Sequence, residues 1–148
     1  MTAEEVYVDP SALCRLYLNQ PGLREMSDWR RRIGGSLPVT HHGRTEVLNG
    51  ICRSAFTGHL GEDELLEALE EFEADFEEGR LHQADLLWRA ALNRAAELSR
   101  THTPRLGTRA LDVLHVACAL EIKLRHFLTF DDRQAKLATT AGLKLVKL

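Results

Sequence analysis

Short β-prone apolar runs alternate along this chain with longer stretches whose apolar positions recur every three to four residues. Val6-Tyr7-Val8 is the first run, closed by Asp9-Pro10, where Asp9 is suited to cap a helix that has Pro10 at its first position. Leu13, Leu16 and Tyr17 then recur at helical spacing over Ala12–Leu18, and a second, basic helix runs from Pro21-Gly22 through Trp29 to Ile33 before Gly34-Gly35 ends it. Leu37–Thr40 reads as the second strand. His41-His42-Gly43 leads from it into a helix from Arg44 to about Ala55, with Val47, Leu48, Ile51 and Cys52 facing inward.

In the second half, Gly61–Glu78 is amphipathic, with Leu65, Leu69, Phe72 and Phe76 on one stripe and acids almost everywhere else. Arg80–Gln83 is a short third strand, and Ala84–Arg100 a helix turning Leu87, Trp88, Ala91 and Leu98 toward the core. Pro104 and Gly107 bracket a loop. Thr108 then caps a helix to Leu124 whose Leu111, Leu114, Val116, Ala117 and Leu120 predict a central, buried element. His126–Phe130 is a strand, Asp131 opens a helix, and Leu143–Val146 is the last strand. Strands separated by helices imply parallel pairing through crossovers. The expected fold is therefore a three-layer α/β/α domain with a central, mostly parallel sheet flanked by helices. With no repeat and no linker, residues 1–148 are expected to form a single domain.

Composition narrows the class. A chain of 148 residues, 44% hydrophobic and 28% charged, buries roughly 70% of its unfolded surface on folding, and is neither disordered nor fibrous. No apolar run approaches the ~20 residues of a bilayer span. The opening MTAEEVYVDP carries acids where a signal peptide has Lys or Arg, so a soluble, cytoplasmic protein with no membrane partner is expected. Cys14, Cys52 and Cys118 are odd in number and contain no C-x-x-C pair, which excludes a zinc or disulfide framework and leaves them as small core residues. Zincin, P-loop, α/β-hydrolase and dinucleotide motifs are missing as well.

The remaining chemistry lies in four acids. Functional groups of an open parallel sheet gather beyond the carboxyl ends of its strands. Asp9 ends the first strand, Glu46 follows the second, Asp131 ends the strand Phe127–Thr129, and Asp112 lies early in the apolar helix leading to that strand. Two unit charges ~4 Å apart repel by about 4 kcal/mol at an effective dielectric near 20, so a cluster of four carboxylates calls for a cation. Oxygen ligands suit Mg²⁺ or Mn²⁺, ions that support phosphodiester hydrolysis by water. Each acid also has a plainer reading: Asp9 and Asp131 as helix caps, Glu46 as a first-turn acid, Asp112 as a salt-bridge partner of Arg109.

At these residues the chain resembles PIN-domain ribonucleases and, among them, the VapC-type toxins of type II toxin–antitoxin pairs. VYVDPSALCRLY, RTEVLNGI, RALDVLHVACAL and FLTFDDRQAKLATTAGLKL carry the resemblance, in the family's order and almost end to end. It implies that Asp9, Glu46, Asp112 and Asp131 are catalytic and hold Mg²⁺ or Mn²⁺, with Ser11 and Thr129 as supporting hydroxyls. It also implies an endoribonuclease acting on RNA, blocked by a small antitoxin, and a homodimer. His41-His42 and the acidic helix depart from the pattern without touching the four acids.

Two other classes remain open on the residues alone. One is a catalytically silent PIN-fold module that binds RNA or an antitoxin. The other is a phosphoaspartate protein, against which stand Ser11 in place of the second Asp of a D-x-D and the absence of a receiver's paired acids. Of the 22 acids, 10 lie in Glu62–Glu78, which has no Lys or Arg, so the remainder carries 19 basic against 12 acidic residues. Arg30, Arg31, Arg32 and Arg44 are candidate contacts to RNA phosphates, or simply solvated side chains. His115, three residues after Asp112, is either a satisfied core histidine or a partner near the site. His41 and His42 can meet substrate or metal, and Trp29 reads as core.

Overall fold

Adjacent residues of the first strand, β1 (Val6–Val8), are all buried but belong to different cores. Side chains of a strand alternate between its two faces. Val6 and Val8 pack with Leu13, Met26, Val47, Ile51 and Phe72, whereas Tyr7 packs with Ala91, Val116, Phe127 and Leu137. The fourth strand, β4 (His126–Leu128), repeats this, sending Phe127 to one core and Leu128 to the other. A sheet buried on both faces is the middle layer of three, as expected from the sequence. The computed structural model describes residues 1–148.

One side is covered by α1 (Pro10–Leu13), α2 (Leu23–Arg32), α3 (His41–Phe56) and α4 (Glu62–Glu77). The other is covered by α5 (Trp88–Leu106), α6 (Ala110–Glu121) and α7 (Asp132–Thr140). Every strand pair is parallel: β1 with β4, β4 with β5 (Lys144–Leu145), and β2 (Leu37–Thr40) with β3 (Leu81–Ala84). The sheet is nevertheless in two pieces, because β2 lies beside β1 without ladder bonds to it. Pro38, in the middle of β2, has no N–H to offer.

Several boundaries differ from expectation. The first helix gives way at Cys14 to a 3-10 turn, Cys14–Leu16, instead of running to Leu18. The helix α3 begins at His41, three residues early, because the Thr40 hydroxyl caps it by accepting the Gly43 N–H at 3.1 Å. A Cβ at Gly43 would sit 2.9 Å from that hydroxyl oxygen, so the first turn needs a glycine there. The helix α5 starts at Trp88 rather than Ala84, which β3 takes, and runs through Pro104 to a left-handed Gly107 (φ +66°). Thr108 does not cap α6. Its hydroxyl bonds that of Thr103, and Arg109 stands at the cap position. Leu87 and Leu111, expected in the core, are 78% and 57% exposed. Cys52 is exposed too, unlike Cys14 and Cys118.

Candidate metal centre at the carboxyl ends of the strands

Asp9 follows β1 and extends its pairing, its N–H donating to the Leu128 carbonyl at 3.0 Å. It caps α1: Oδ2 accepts the Ser11 N–H at 3.1 Å and also the Ser11 hydroxyl. Oδ1 accepts from the side-chain amide of Gln134 at 3.0 Å. Three donors thus fix a carboxylate that is only 4% exposed. Asp131 is likewise a cap, its Oδ1 accepting the Gln134 N–H at 2.8 Å while its own N–H donates to the Thr129 hydroxyl at 3.0 Å. The capping readings of Asp9 and Asp131 therefore hold, and capping is what pins both carboxylates at the strand ends.

Gln134 joins these groups, and the sequence reading passed over it. It is fully buried. Its Nε2 reaches both Asp9 and, at 3.2 Å, the Asp112 carbonyl, and its Oε1 accepts the Thr129 hydroxyl at 2.6 Å. One signal was present: Asp131 and Gln134 have the spacing of a capping box, cap and third helical residue. In such a box the Gln side chain returns to the cap N–H. Here Thr129 serves that N–H instead, which frees the amide to turn inward.

Asp112 lies in the first turn of α6 with no cationic partner within salt-bridge distance, so the expected pairing with Arg109 does not form. Burial pushes its carboxyl above the ordinary range, the charges of Asp9 and Asp131 push it further, and His115 and Arg109 oppose them. Asp112 and Asp131 line a cleft of about 410 Å³ with Gly107, Arg109, Asp132 and Arg133, and no hydrophobic side chain.

Glu46 is held by His115. The imidazole is 1% exposed, its Nε2 lying 3.0 and 3.1 Å from the two Glu46 oxygens and its Nδ1 2.7 Å from the Tyr7 hydroxyl. His115 is thus both a satisfied core histidine and a neighbour of the site. His42 stacks on it, ring centroids 4.6 Å apart and planes 11° from parallel, with Trp88 edge-on at 4.8 Å. Burial, aided by His115, pulls His42 down to about 4, so this imidazole is neutral at physiological pH. Trp88 is therefore a wall of this cluster instead of the core residue expected.

The basic candidates separate. Arg30 is 5% exposed, and its guanidinium donates to the carbonyls of Ile33, Gly35 and Arg80 at 2.9–3.0 Å, which uses it within the fold and withdraws it from solvent. Arg31 pairs with Asp28, and Arg44 with Glu73 at 2.6 Å beside the Phe76 ring. Arg32 is exposed without an ion-pair partner. Trp29 is core, 4% exposed.

The family is decided by extent. Residues 6–139 match the PIN domain family, which takes in every strand but the last and all four acids. The chain belongs to the PIN domain family. Among solved structures it is similar to FitAcB from Neisseria gonorrhoeae, with a TM-score of 0.62 over 96% of each chain at 16% identity, a likeness of fold. The search of curated proteins returned no match. As a PIN domain, the chain carries its acids where parallel strands hand over to helices, the position general to open α/β sheets.

Proposed function

We propose that this PIN domain is a divalent-metal-dependent endoribonuclease acting as the VapC-type toxin of a type II toxin–antitoxin pair. The observation that carries the reading is that Gln134 bonds the Asp9 carboxylate and the Asp112 carbonyl with its amide while Asp131 caps its backbone N–H, which gathers three acids remote in sequence around one residue. Such a set of oxygen donors, Asp112 and Asp131 lining an open polar cleft, fits Mg²⁺ or Mn²⁺. Asp9, Asp112 and Asp131 would hold the ion, with Glu46 as the fourth acid. When bound, the metal supplies activation of water and stabilisation of the leaving oxygen in phosphodiester hydrolysis.

The protein's own groups do the positioning. Ser11 and Gln134 fix both oxygens of Asp9, and Thr129 fixes Gln134 and the Asp131 backbone, so the acids keep their places without rearranging as RNA arrives. Arg109 and Arg133, on the cleft wall, offer charge to a phosphate backbone, and Arg32 offers it at longer range. A homodimer and a small antitoxin are the proposed partners. Leu87 at the N-cap of α5, Leu92 on α5 and Leu111 on α6, a packed helix pair, supply exposed apolar surface for such contacts.

The test is cleavage of total RNA by the purified chain. Activity is expected with Mg²⁺ or Mn²⁺, to vanish in EDTA, and to fall to background in Asp9→Asn and Asp112→Asn with an unchanged circular dichroism spectrum. Cleavage that persists in EDTA or in both variants overturns the reading. RNA binding with no cleavage under any metal supports the silent module instead.

A further inference from the structure

One group in this region has no role in the nuclease reading. His42 keeps its Nδ1 3.1 Å from the Thr40 hydroxyl, while its Nε2 is buried and has no hydrogen-bond partner. A buried imidazole nitrogen without a partner is costly and rare in a native fold. The same ring stacks on His115, whose Nε2 faces Glu46. One ligand atom from each of His42, Glu46 and His115 lies within 4.8 Å of the other two.

We propose that His42, Glu46 and His115 form a second metal site, for a transition-series divalent ion of the Zn²⁺ or Co²⁺ class. It deepens the nuclease reading in one respect, since Glu46 belongs to both sites, but its test requires neither RNA nor turnover.

The donor set chooses the class of ion. Two imidazoles and a carboxylate match sites for Zn²⁺ and its neighbours, whereas Mg²⁺ favours oxygen and retains its waters. Bond lengths of about 2.0–2.2 Å put the ligands of a tetrahedral ion roughly 3.4 Å apart, and because ring lone pairs lie in the ring planes, binding requires one imidazole to rotate out of the 11° stack as the triangle closes. A fourth position stays open to water. The outer contacts are also of the right kind. Metal-bound histidines hand their second ring nitrogen to an oxygen partner, which fixes the tautomer. His42 has Thr40 and His115 has Tyr7 for this purpose, each at Nδ1. The His42 Nε2 is then left for the ion, and the His115 Nε2 exchanges its bond to Glu46 for it.

The backbone supports the arrangement. His42 and Glu46 are four residues apart on α3 and so share one helix face. That spacing exists only because the Thr40 cap starts the helix at His41. His115 comes from α6, so an ion here would tie together helices from opposite sides of the sheet.

Titration of the metal-free full chain with Co²⁺ in excess Mg²⁺ tests the site, read by visible absorption and by melting temperature. The expected result is one tightly bound equivalent with a four-coordinate spectrum and a rise in melting temperature, as binding to the native state alone requires. Outer partners of a metal site are worth about 10–100-fold in affinity, so His42→Ala, which removes a ligand, should weaken binding about 100-fold or more. Asp112→Asn should leave it unchanged. Tyr7→Phe, which keeps all three ligands and removes only the hydroxyl at His115 Nδ1, should weaken it less than His42→Ala. The site is overturned if Co²⁺ fails to bind over Mg²⁺, if His42→Ala binds like wild type, or if Asp112→Asn loses binding equally, which would put the ion at the carboxylates. Failure of the nuclease reading would appear separately, as absent RNA cleavage in Mg²⁺.

Discussion

Gln134 Nε2 donates to Asp9 Oδ1 at 3.0 Å across 125 residues of sequence, a bond that ties the start of α7 to the end of β1. The same amide bonds the Asp112 carbonyl, and the same residue's backbone N–H is capped by Asp131. Gln134→Leu keeps the bulk and the backbone bond to Asp131 and removes the side-chain bonds to Asp9, Asp112 and Thr129. It should cost about 1–3 kcal/mol in chemical denaturation, the usual penalty for leaving buried partners unserved. It should also weaken Mn²⁺ binding by about 10–100-fold, as loss of an outer-sphere partner does. Calorimetric Mn²⁺ titration at unchanged affinity would reduce Gln134 to a packing role.

Asp112 gives a pH-dependent prediction. Its carboxyl titrates above the ordinary value of 3.8 in the folded chain because of burial and the charges of Asp9 and Asp131. The folded state therefore holds this proton more tightly than the unfolded one, and stability from this group falls as pH rises through the interval between the two values. Below 3.8 the cost is absent; above the folded value it is full and constant. Asp112→Asn should raise the melting temperature in EDTA at neutral pH while abolishing cleavage, and the gain should shrink toward acid pH. A variant that melts below wild type at neutral pH would contradict this.

Arg30 and Arg32 are neighbours on α2 with opposite expected phenotypes. Arg30→Met strips a buried guanidinium from three carbonyls and should destabilise by about 2–4 kcal/mol. Arg32→Ala should leave stability within about 0.5 kcal/mol and, if Arg32 meets phosphate, lower the salt slope of RNA binding by about 1. Equal melting temperatures for the two variants would refute the structural assignment of Arg30.

Exposed leucines predict assembly. Leu92→Asp and Leu111→Asp alter side chains that are 53% and 57% exposed, so the monomer fold should survive. If α5 and α6 form the proposed homodimer face, light scattering should show each variant at half the wild-type mass. Wild type that is already monomeric at all concentrations would remove the homodimer.

The legible part of this protein is the part written in short-range pattern. Val6–Val8, Leu37–Thr40 and the apolar run around Val116 show their structure through periods of two and 3.6, which local sterics and one-sided burial impose. The acids at the strand ends followed from topology once the βα order was known. Boundaries were less secure where a single hydrogen bond decides them. Thr40 bonding the Gly43 N–H moved the start of α3 by a turn, and with it put His42 and Glu46 on one face.

By itself the sequence determined the order of strands and helices, the three layers, and the presence of acids at strand ends, because these depend on neighbours within a few residues. Only the tertiary structure decided that Gln134 turns inward to Asp9, that Arg30 is sealed under its own loop carbonyls, and that His42 lies against His115. Each of those outcomes turns on at least one partner tens of residues or more away, as Arg80 is for Arg30, His115 for His42 and Asp9 for Gln134. A side-chain amide, guanidinium or imidazole has the same local propensity wherever its partner lies, so the choice is made by packing, which alone brings the partner within reach.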